Sequence, residues 1–461
     1  MDSAGLGDRA ARLLSRAIRI PTVNPPGNEA SLAALYVETL RAAGLEGELI
    51  ETPHGVEPGQ DPGARGSAAR RAGAWGRLRG TGAGRPVVLL SHLDVVPADP
   101  LEWELDPFSG AIRDGRVHGR GALDAKGVSV IHLLALTELS RRESPLSRDL
   151  IFLATPDEER GGRLGAGYVT RERPELLGNA ELMLTEGGGI QPGGGETPAI
   201  WAVTVNEKTP CWLELRTTGE TRHSAAPAPD AAVPRLIAAL DRVRRIETPI
   251  TVLPEVADMF RAMGAAAPDE SRAGYRDLSR ALREDPAFRR RFLRNPSRNA
   301  LVRDTIAITV LEGALSTNVV PGTARAELDV RLLPGTSCSA FRAQLAEVID
   351  DDAVLIRELM SFTPTRPSPG EGSPLLRAIR TIAAAEEPGA VVVPRLIGGS
   401  TDAHWFRELG IASYGFVPRR LAPSDALGIH GRNEAVSIQN LEDAVRILVE
   451  LLVVLDADTQ P

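Results

Sequence analysis

Four residues in the N-terminal half of the chain combine the side-chain types that bind and use metal ions. His92 lies in the sequence SHLD, Asp124 in GRGALDAKG, and the pair Glu158 and Glu159 in PDEE. Divalent ions such as zinc or manganese take imidazole and carboxylate ligands, and a carboxylate can bridge two ions. The pattern therefore predicts a hydrolase that uses two metal ions, with Asp124 as the candidate bridge.

Two apolar runs would bring these residues to one edge of a sheet. Residues 87–90 (VVLL) precede His92, and residues 150–154 (LIFLA) precede the two glutamates. Both runs are typical of buried strands in length and in branched side chains. Ligands commonly bind where the strands of an open α/β sheet end, so we expect these side chains to meet there.

Asp94 and the two glutamates have different expected roles. Asp94 lies two residues after His92, which on an extended chain puts both side chains on one side, so its carboxylate should accept the N–H of the ligating imidazole. Neighbouring side chains on an extended chain point in opposite directions. We therefore assign Glu159 to a metal ion and Glu158 to proton transfer, as general base toward the metal-bound water.

Two further ligands are expected later in the chain. Glu186 follows the run 182–185 (LMLT) and precedes three glycines, so a third strand would deliver a third carboxylate into a glycine turn. The sequence GIHG supplies His430. These residues complete the set of candidate metal ligands.

Composition and charge exclude several classes of protein. With 43% hydrophobic residues and a net charge of −8, the 461-residue chain offers no basic surface for nucleic acid or an anionic membrane. Its sequence shows no signal peptide or membrane span. Because Cys211 and Cys338 are the only cysteines, reduced thiols are the default expectation. We expect a cytoplasmic enzyme.

The order of elements predicts two domains. Residues 1–205 and 365–461 alternate helical and strand-like patterns, which favours an α/β catalytic domain with a central mixed sheet. Residues 206–364 have the order βαββαβ, typical of a ferredoxin-like α+β unit inserted into the first domain. Its six elements are predicted at residues 211–215, 231–243, 306–311, 324–332, 339–349 and 354–359.

Two stretches stand apart from these patterns. Residues 52–74 are rich in Gly, Ala, Pro and Arg and predict a long surface excursion. Residues 246–304 form a charged, largely helical insertion inside the second domain. This insertion could close over substrate, contact a second subunit, or only elaborate the surface.

Short motifs recur in a fixed order along nearly the whole chain. They are SHLDVVP (91–97), PFSG (107–110), GRGALDAKG (119–127), DEERGG (157–162), EGG (186–188), NVVP (318–321) and GGSTD (398–402). This series resembles the M20 metallopeptidase family, the aminoacylase and carboxypeptidase class. The PFSG segment and the form ALDAKG are most similar to its carboxypeptidase S and N-acyl-amino-acid hydrolase branch.

The resemblance implies a site for two divalent metal ions, most simply zinc, with cobalt or manganese as alternatives. One ion would be held by His92, Asp124 and Glu186. The other would be held by Asp124, Glu159 and His430.

The resemblance also implies that the inserted domain is a lid that completes the site. His223 matches the lid histidine with which the family stabilises the tetrahedral oxyanion, across the subunit boundary in dimeric members. A homodimer through the lid domain would follow. The residues expected to hold the substrate are Asn318, Arg331, Gly399, Ser400 and Thr401.

Two residues depart from the family pattern. Arg222 stands where the family usually has glycine, so a large side chain replaces none beside His223 and can change how closely other groups approach it. His404 stands where relatives often carry arginine after the Thr-Asp pair, so we expect the pocket for a substrate carboxylate to be altered.

The predicted reaction is metal-dependent hydrolysis of an amide next to a free carboxylate, in an N-acyl amino acid or a short peptide. A dipeptidase or exopeptidase with the same site is one alternative. A non-catalytic peptide-binding relative is another, and Glu158 argues against it because a binder would be free to lose the base. The sequence separates neither acyl from aminoacyl substrates nor one side-chain preference from another.

Overall fold

The computed structural model describes residues 5–52, 70–194, 197–264, 267, 269–314 and 316–458. Residues 53–69, which make up most of the predicted surface excursion, lie outside the described residues. No helix in these ranges is both long enough and apolar enough to cross a membrane.

The strands are, in chain order, β1 (Glu46–Glu51), β2 (Ala72–Leu78), β3 (Gly84–His92), β4 (Ile112–Arg113), β5 (Arg116–His118), β6 (Arg148–Thr155), β7 (Leu182–Thr185), β8 (Gly189–Gln191), β9 (Ile200–Glu207), β10 (Thr209–Thr218), β11 (Arg222–His223), β12 (Thr305–Glu312), β13 (Val319–Val320), β14 (Thr323–Leu332), β15 (Leu355–Ser361), β16 (Val391–Ile397), β17 (Ala412–Gly415) and β18 (Ala435–Ser437).

The helices are, in chain order, α1 (Leu6–Ile18), α2 (Ala30–Ala42), α3 (Lys126–Leu139), α4 (Ala166–Glu172), α5 (Ala232–Val243), α6 (Pro254–Met263), α7 (Asp269–Arg276), α8 (Leu278–Glu284), α9 (Pro286–Arg294), α10 (Pro296–Ala300), α11 (Cys338–Ile349), α12 (Pro374–Glu386), α13 (Ala403–Glu408), α14 (Pro423–Ala426) and α15 (Ile438–Ala457).

A large mixed sheet forms the centre of the molecule. Its strand order is β1-β2-β6-β3-β7-β17-β9-β16, with β8 paired to β9. The middle strands β6, β3 and β7 are parallel to one another. Helices α1, α2, α3, α12 and α15 bury apolar side chains against one face, and α4 and α13 do so on the other. Covering on both faces explains why β3 and β6 have unbroken apolar sequences.

A second sheet has four antiparallel strands in the order β12-β14-β10-β15. Helices α5 and α11 share a hydrophobic core with this sheet. In chain order these elements are β10, α5, β12, β14, α11 and β15, which is the βαββαβ order that the sequence predicts. The sheet order is that of a ferredoxin-like unit.

The expectation of reduced thiols is wrong. Cys211 on β10 and Cys338 at the start of α11 form a disulfide, 127 residues apart in sequence. The two positions adjoin because α11 packs on the sheet that contains β10. Since disulfides persist mainly in oxidising compartments, the cysteines no longer support a cytoplasmic location, which stays a prediction from the sequence.

The helical insertion, α6 to α10, has a hydrophobic core of its own. Phe260, Phe288 and Phe292 pack together there. The same cluster includes Leu396 of β16 and Leu333, which follows β14. The insertion therefore packs on the edge strand of the large sheet and on the ferredoxin-like unit at once.

Candidate active site

Three adjacent strands deliver candidate ligands to one edge of the large sheet. His92 is the last residue of β3, Glu186 directly follows β7, and Glu158 begins a 3-10 turn after β6. Because these strands are parallel neighbours, their carboxyl ends lie side by side. The side chains meet as the sequence predicts.

Asp124 lies between two histidines in the loop that precedes α3. Its Oδ1 atom is 2.8 Å from Nε2 of His92, and its Oδ2 atom is 3.3 Å from Nε2 of His430. Glu186 Oε1 lies 3.5 Å from the His92 nitrogen, and Glu159 Oε2 lies 3.2 Å from the His430 nitrogen. The two predicted ligand groups are thus brought together around one shared carboxylate.

These groups fit two divalent ions. In each set of three residues, the candidate ligand atoms lie within 4.8 Å of one another. The donors are imidazole nitrogens and carboxylate oxygens, which suit zinc, cobalt or manganese. In addition, Oε1 of Glu159 is buried and has no hydrogen-bond partner among the described residues. A buried carboxylate oxygen without a protein donor is suited to a cation.

The sequence argument for separating the two glutamates was wrong in its geometry. Residues Glu158–Arg160 form a 3-10 turn instead of an extended segment, and Asp157 before it has a φ of 79°. Glu158 Oε2 lies 4.0 Å from Nε2 of His92, while Glu159 faces His430. A turn, and not strand alternation, directs the two carboxylates to different places.

Asp94 also acts differently from the expectation. Nδ1 of His92 lies 2.9 Å from the backbone carbonyl of Asp94 and 3.6 Å from its carboxylate. The carboxylate instead accepts the backbone N–H groups of Glu158 and Glu159, at 3.0 and 3.1 Å. Asp94 therefore orients His92 through its main chain and fixes the glutamate turn through its side chain.

A buried charged network lies behind the glutamate turn. Nη1 of Arg71 donates to Asp157 at 2.5 Å, and Nη2 donates to Asn24 at 2.6 Å. Asn24 donates in turn to Asp94 at 2.9 Å. Glu29, with no exposed surface, lies 3.9 Å from the same guanidinium. Sequence reasoning missed Asn24, Glu29 and Arg71, because the first two are far in sequence from Arg71, which is itself far from Asp157.

Replacing Arg71 by Met is expected to lower the free energy of unfolding by about 3–5 kcal/mol, because the buried carboxylate of Asp157 would lose the cation that it contacts. Chemical denaturation measures the change. Arg79→Met is the matched control, since Arg79 pairs with Glu46 at the surface and exposed pairs contribute only about 0–1 kcal/mol. Equal losses in the two variants would contradict a dominant role for burial.

Glu434 organises the loop that carries Asp124. Its fully buried carboxylate accepts the backbone N–H groups of Gly121, Leu123 and Asp124 at 2.6 to 3.0 Å. Arg120 donates to the same carboxylate at 2.9 Å. The sequence analysis also missed Glu434, although its position four residues after His430 placed it near the site.

A cavity of about 740 Å³ opens over the candidate ligands. The predicted residues that line it are Asp124, Glu158, Glu159, Glu186, Arg331, Gly399, Ser400, Thr401 and His430. His223 and Asn318 do not line it. His223 lies on β11 and Asn318 directly precedes its partner strand β13. The backbone N–H of Ser224 donates to the Asn318 carbonyl at 3.2 Å, and the side chains of His223 and Asn318 are exposed.

Two predicted substrate-binding residues already have partners. Arg331 makes two hydrogen bonds to Asp329, at 2.8 and 3.2 Å, and a third to the Ser400 hydroxyl at 3.3 Å. The hydroxyl of Thr401 donates to Glu207 at 2.6 Å. The charge of Arg331 is therefore balanced within the protein.

His404 is held as a neutral ring at the cavity wall. It stacks on Phe362 with ring centroids 3.5 Å apart, and Nδ1 lies 2.8 Å from the Thr401 carbonyl. Burial lowers the pKa of His404 to about 3. An imidazole of this kind cannot supply the positive charge that an arginine would supply at the same position.

The environment of Glu158 suits a proton carrier. Burial raises the pKa of Glu158 well above its ordinary value, while the charge of His92 opposes the shift and Glu186 and Asp402 add to it. Burial likewise raises the pKa of Asp402. A carboxyl whose pKa lies closer to neutrality can both accept and return a proton.

Comparison with known proteins shows the family of this chain. The model of peptidase family M20/M25/M40 matches residues 88–453. The human N-fatty-acyl-amino acid synthase/hydrolase PM20D1 is 30% identical over 393 residues, which cover 82% of this chain and 75% of that protein. Rat aminoacylase-1A is 25% identical over 453 residues, covering 95% and 94% of the two chains.

Solved structures share the fold. An M20 family metallo-carboxypeptidase from Sulfolobus solfataricus superposes with a TM-score of 0.72 at 20% identity, covering 97% of this chain and 99% of that one. Human carnosine dipeptidase 1 gives a TM-score of 0.67 at 20% identity, with 98% and 97% coverage. The family model matches well over half of the chain. The protein therefore belongs to peptidase family M20/M25/M40 and is a hydrolytic enzyme.

Proposed function

We propose that this protein holds two divalent metal ions and uses them to hydrolyse N-acyl amino acids at the amide next to their free carboxylate. One observation carries the proposal: the two carboxylate oxygens of Asp124 face two different histidines, His92 and His430. Glu186 completes the first ligand set and Glu159 the second. Asp124 would thus belong to both ligand sets, since a carboxylate can contact two ions.

The bound ions would polarise the scissile carbonyl and make an attacking water more acidic. Glu158 takes a proton from that water and returns it to the leaving nitrogen. Asp94 holds the backbone of Glu158, which keeps the carboxylate directed toward the metal ligands. Without this base the proton transfer would be lost, so the presence of a glutamate at position 158 favours an enzyme over a binding protein.

The charges of the cavity favour acyl over aminoacyl substrates. Among the described residues that line the cavity, carboxylates belong to Glu158, to Asp402 and to the candidate ligands Asp124, Glu159 and Glu186. Oδ2 of Asp402 accepts a hydrogen bond from the Thr155 hydroxyl at 2.9 Å. Oδ1 of Asp402 has no hydrogen-bond partner among the described residues, but burial raises the pKa of this carboxyl, which favours its neutral form and makes it a poor partner for a dipeptide's ammonium. The apolar side chains of Ile190, Leu421 and Ile429 in the lining suit an aliphatic acyl group.

We also propose that the ferredoxin-like unit is a lid through which two copies associate. Within the described residues, β12 is an edge strand of its sheet, and Ile308 and Leu311 on it are 42% and 62% exposed. Edge strands readily pair with another chain. Because His223 lies outside the cavity of its own chain, it would serve the site of the second copy.

A substrate panel tests the function. Protein stripped of metal and reloaded with zinc, manganese or cobalt should cleave N-acetyl-leucine and N-lauroyl-leucine, and should cleave leucyl-leucine about tenfold more slowly or worse because its ammonium lacks a partner. N-acetyl-leucine amide, which has no carboxylate, is the negative control. Faster cleavage of the dipeptide would support a dipeptidase instead, and no cleavage in any metal form would overturn the proposed substrate class.

A further inference from the structure

Three guanidinium groups line the cavity, those of Arg331, Arg395 and Arg419. Arg331 is paired with Asp329 through two hydrogen bonds. Arg419 is 5% exposed, donates to the Leu123 carbonyl at 2.5 Å, and acts electrostatically on nearby carboxylates that include the ligands Asp124 and Glu186. The charge of Arg331 is thus paired within the protein, and that of Arg419 is buried near the candidate ligands Asp124 and Glu186.

Arg395 has no such partner. It lies on β16, where Nε donates to the Thr204 hydroxyl at 3.3 Å and Nη2 donates to the Gly187 carbonyl. Both acceptors are neutral, and no carboxylate lies within 4.0 Å of the group anywhere in the described part of the chain. Nη1 donates to none of the described groups. A guanidinium stays ionised in proteins, so an uncompensated positive charge faces the cavity.

The surroundings of Arg395 do not supply a negative charge. Ile397 and Ala202 also line the cavity, as does His404, whose pKa burial lowers to about 3. A neutral substrate group placed here would cover the cation without pairing it, at a cost in free energy. A carboxylate would form charge-assisted hydrogen bonds with it.

We propose that Arg395 recognises a second carboxylate on the substrate, so that the enzyme prefers N-acyl amino acids that carry two negative charges. This inference rests on the proposed function. The second carboxylate has two chemical sources: the side chain of an acidic amino acid, or an acyl group that is the half-amide of a dicarboxylic acid. Arg395 is in this view a determinant of specificity and takes no part in the bond cleavage.

Two matched pairs of substrates separate these sources. N-acetyl-glutamate is compared with N-acetyl-glutamine, and N-succinyl-leucine with its terminal amide, N-succinamoyl-leucine. In at least one pair, kcat/KM of the wild type should be about 10- to 100-fold higher for the acid than for its amide, the range expected for hydrogen bonds to a charged group. The pair that shows the ratio identifies the source.

Variants assign the preference to Arg395. In Arg395→Met the ratio of acid to amide should fall to about one, and Arg395→Lys should restore part of it because the charge returns without the planar fork. Arg331→Met is the control, which should lower kcat/KM for acid and amide alike. Ratios near one in the wild type, or a ratio that persists in Arg395→Met, would overturn the proposal. An equal loss on all substrates would also overturn it, because Arg395 would then bind the carboxylate that every substrate shares or only support the Gly187 turn.

Binding measurements test the role of Arg395 independently of the proposed hydrolytic function. Metal-loaded Glu158→Gln protein, with and without Arg395→Met, is titrated by calorimetry with the same four compounds. The Kd ratio of acid to amide should depend on Arg395 as kcat/KM does. If wild-type protein cleaves none of the substrates, the proposed function fails, while this Kd ratio still decides the role of Arg395.

Discussion

Glu158→Ala protein is expected to keep metal close to the wild-type amount and to lose about 10²- to 10⁴-fold in turnover, the usual contribution of a general base. The reason is positional. Glu158 Oε2 lies 4.0 Å from Nε2 of His92, and Glu158 belongs to neither group of three ligands. Turnover on N-acetyl-leucine and metal analysis of the purified protein measure the two effects.

Glu159→Ala is the matched control for this variant. Glu159 Oε2 lies 3.2 Å from the His430 nitrogen, so its loss should weaken the ion that these two residues share with Asp124. Glu158→Ala would then lower activity with metal retained, and Glu159→Ala would lower activity with metal lost. If the purified Glu158→Ala protein lacked one of its ions, the two assignments would have to be reversed.

His223→Ala is expected to reduce turnover by about 10²- to 10³-fold, with metal content and folding intact and without a matching rise in KM. An oxyanion donor acts on charge that exists only in the transition state, so its removal lowers kcat. A donor of this kind contributes roughly 2.7–4 kcal/mol. Steady-state kinetics on metal-replete protein measure the split between kcat and KM.

Mixing two inactive variants tests whether His223 acts across a dimer. In a mixed dimer of His223→Ala and Glu158→Ala, one site would combine an intact Glu158 with His223 from the other subunit, so activity should return after subunit exchange. If His223 served its own site, each site would lack one residue and mixing would restore nothing. Near-normal turnover of His223→Ala alone would make the histidine structural, beside the unusual Arg222.

The sequence by itself predicted the candidate ligands and the arrangement of elements. His92 and Glu186 end apolar strands, and the ends of parallel strands necessarily share one edge of the sheet. Likewise, the βαββαβ order between β10 and β15 follows from local hydrophobic patterns, which depend only on residues close in sequence.

The tertiary structure alone decided what surrounds those ligands. Glu434 reaches the loop of Asp124 across more than 300 positions, and Arg71 reaches Asp157 across 86. Cys211 and Cys338 are brought together only by the packing of α11. Such contacts leave no periodic signal in the chain, because each depends on how distant elements pack.

The charge state of the cavity was likewise decided by the tertiary structure. Sequence reasoning placed Arg331 among the residues that hold the substrate and passed over Arg395, because an arginine in an apolar strand carries no mark of its partner. The fold places Asp329 against one guanidinium and only neutral oxygens against the other. Residue types and strand ends thus determined where the chemistry lies, and three-dimensional packing determined which charges remain free for a substrate.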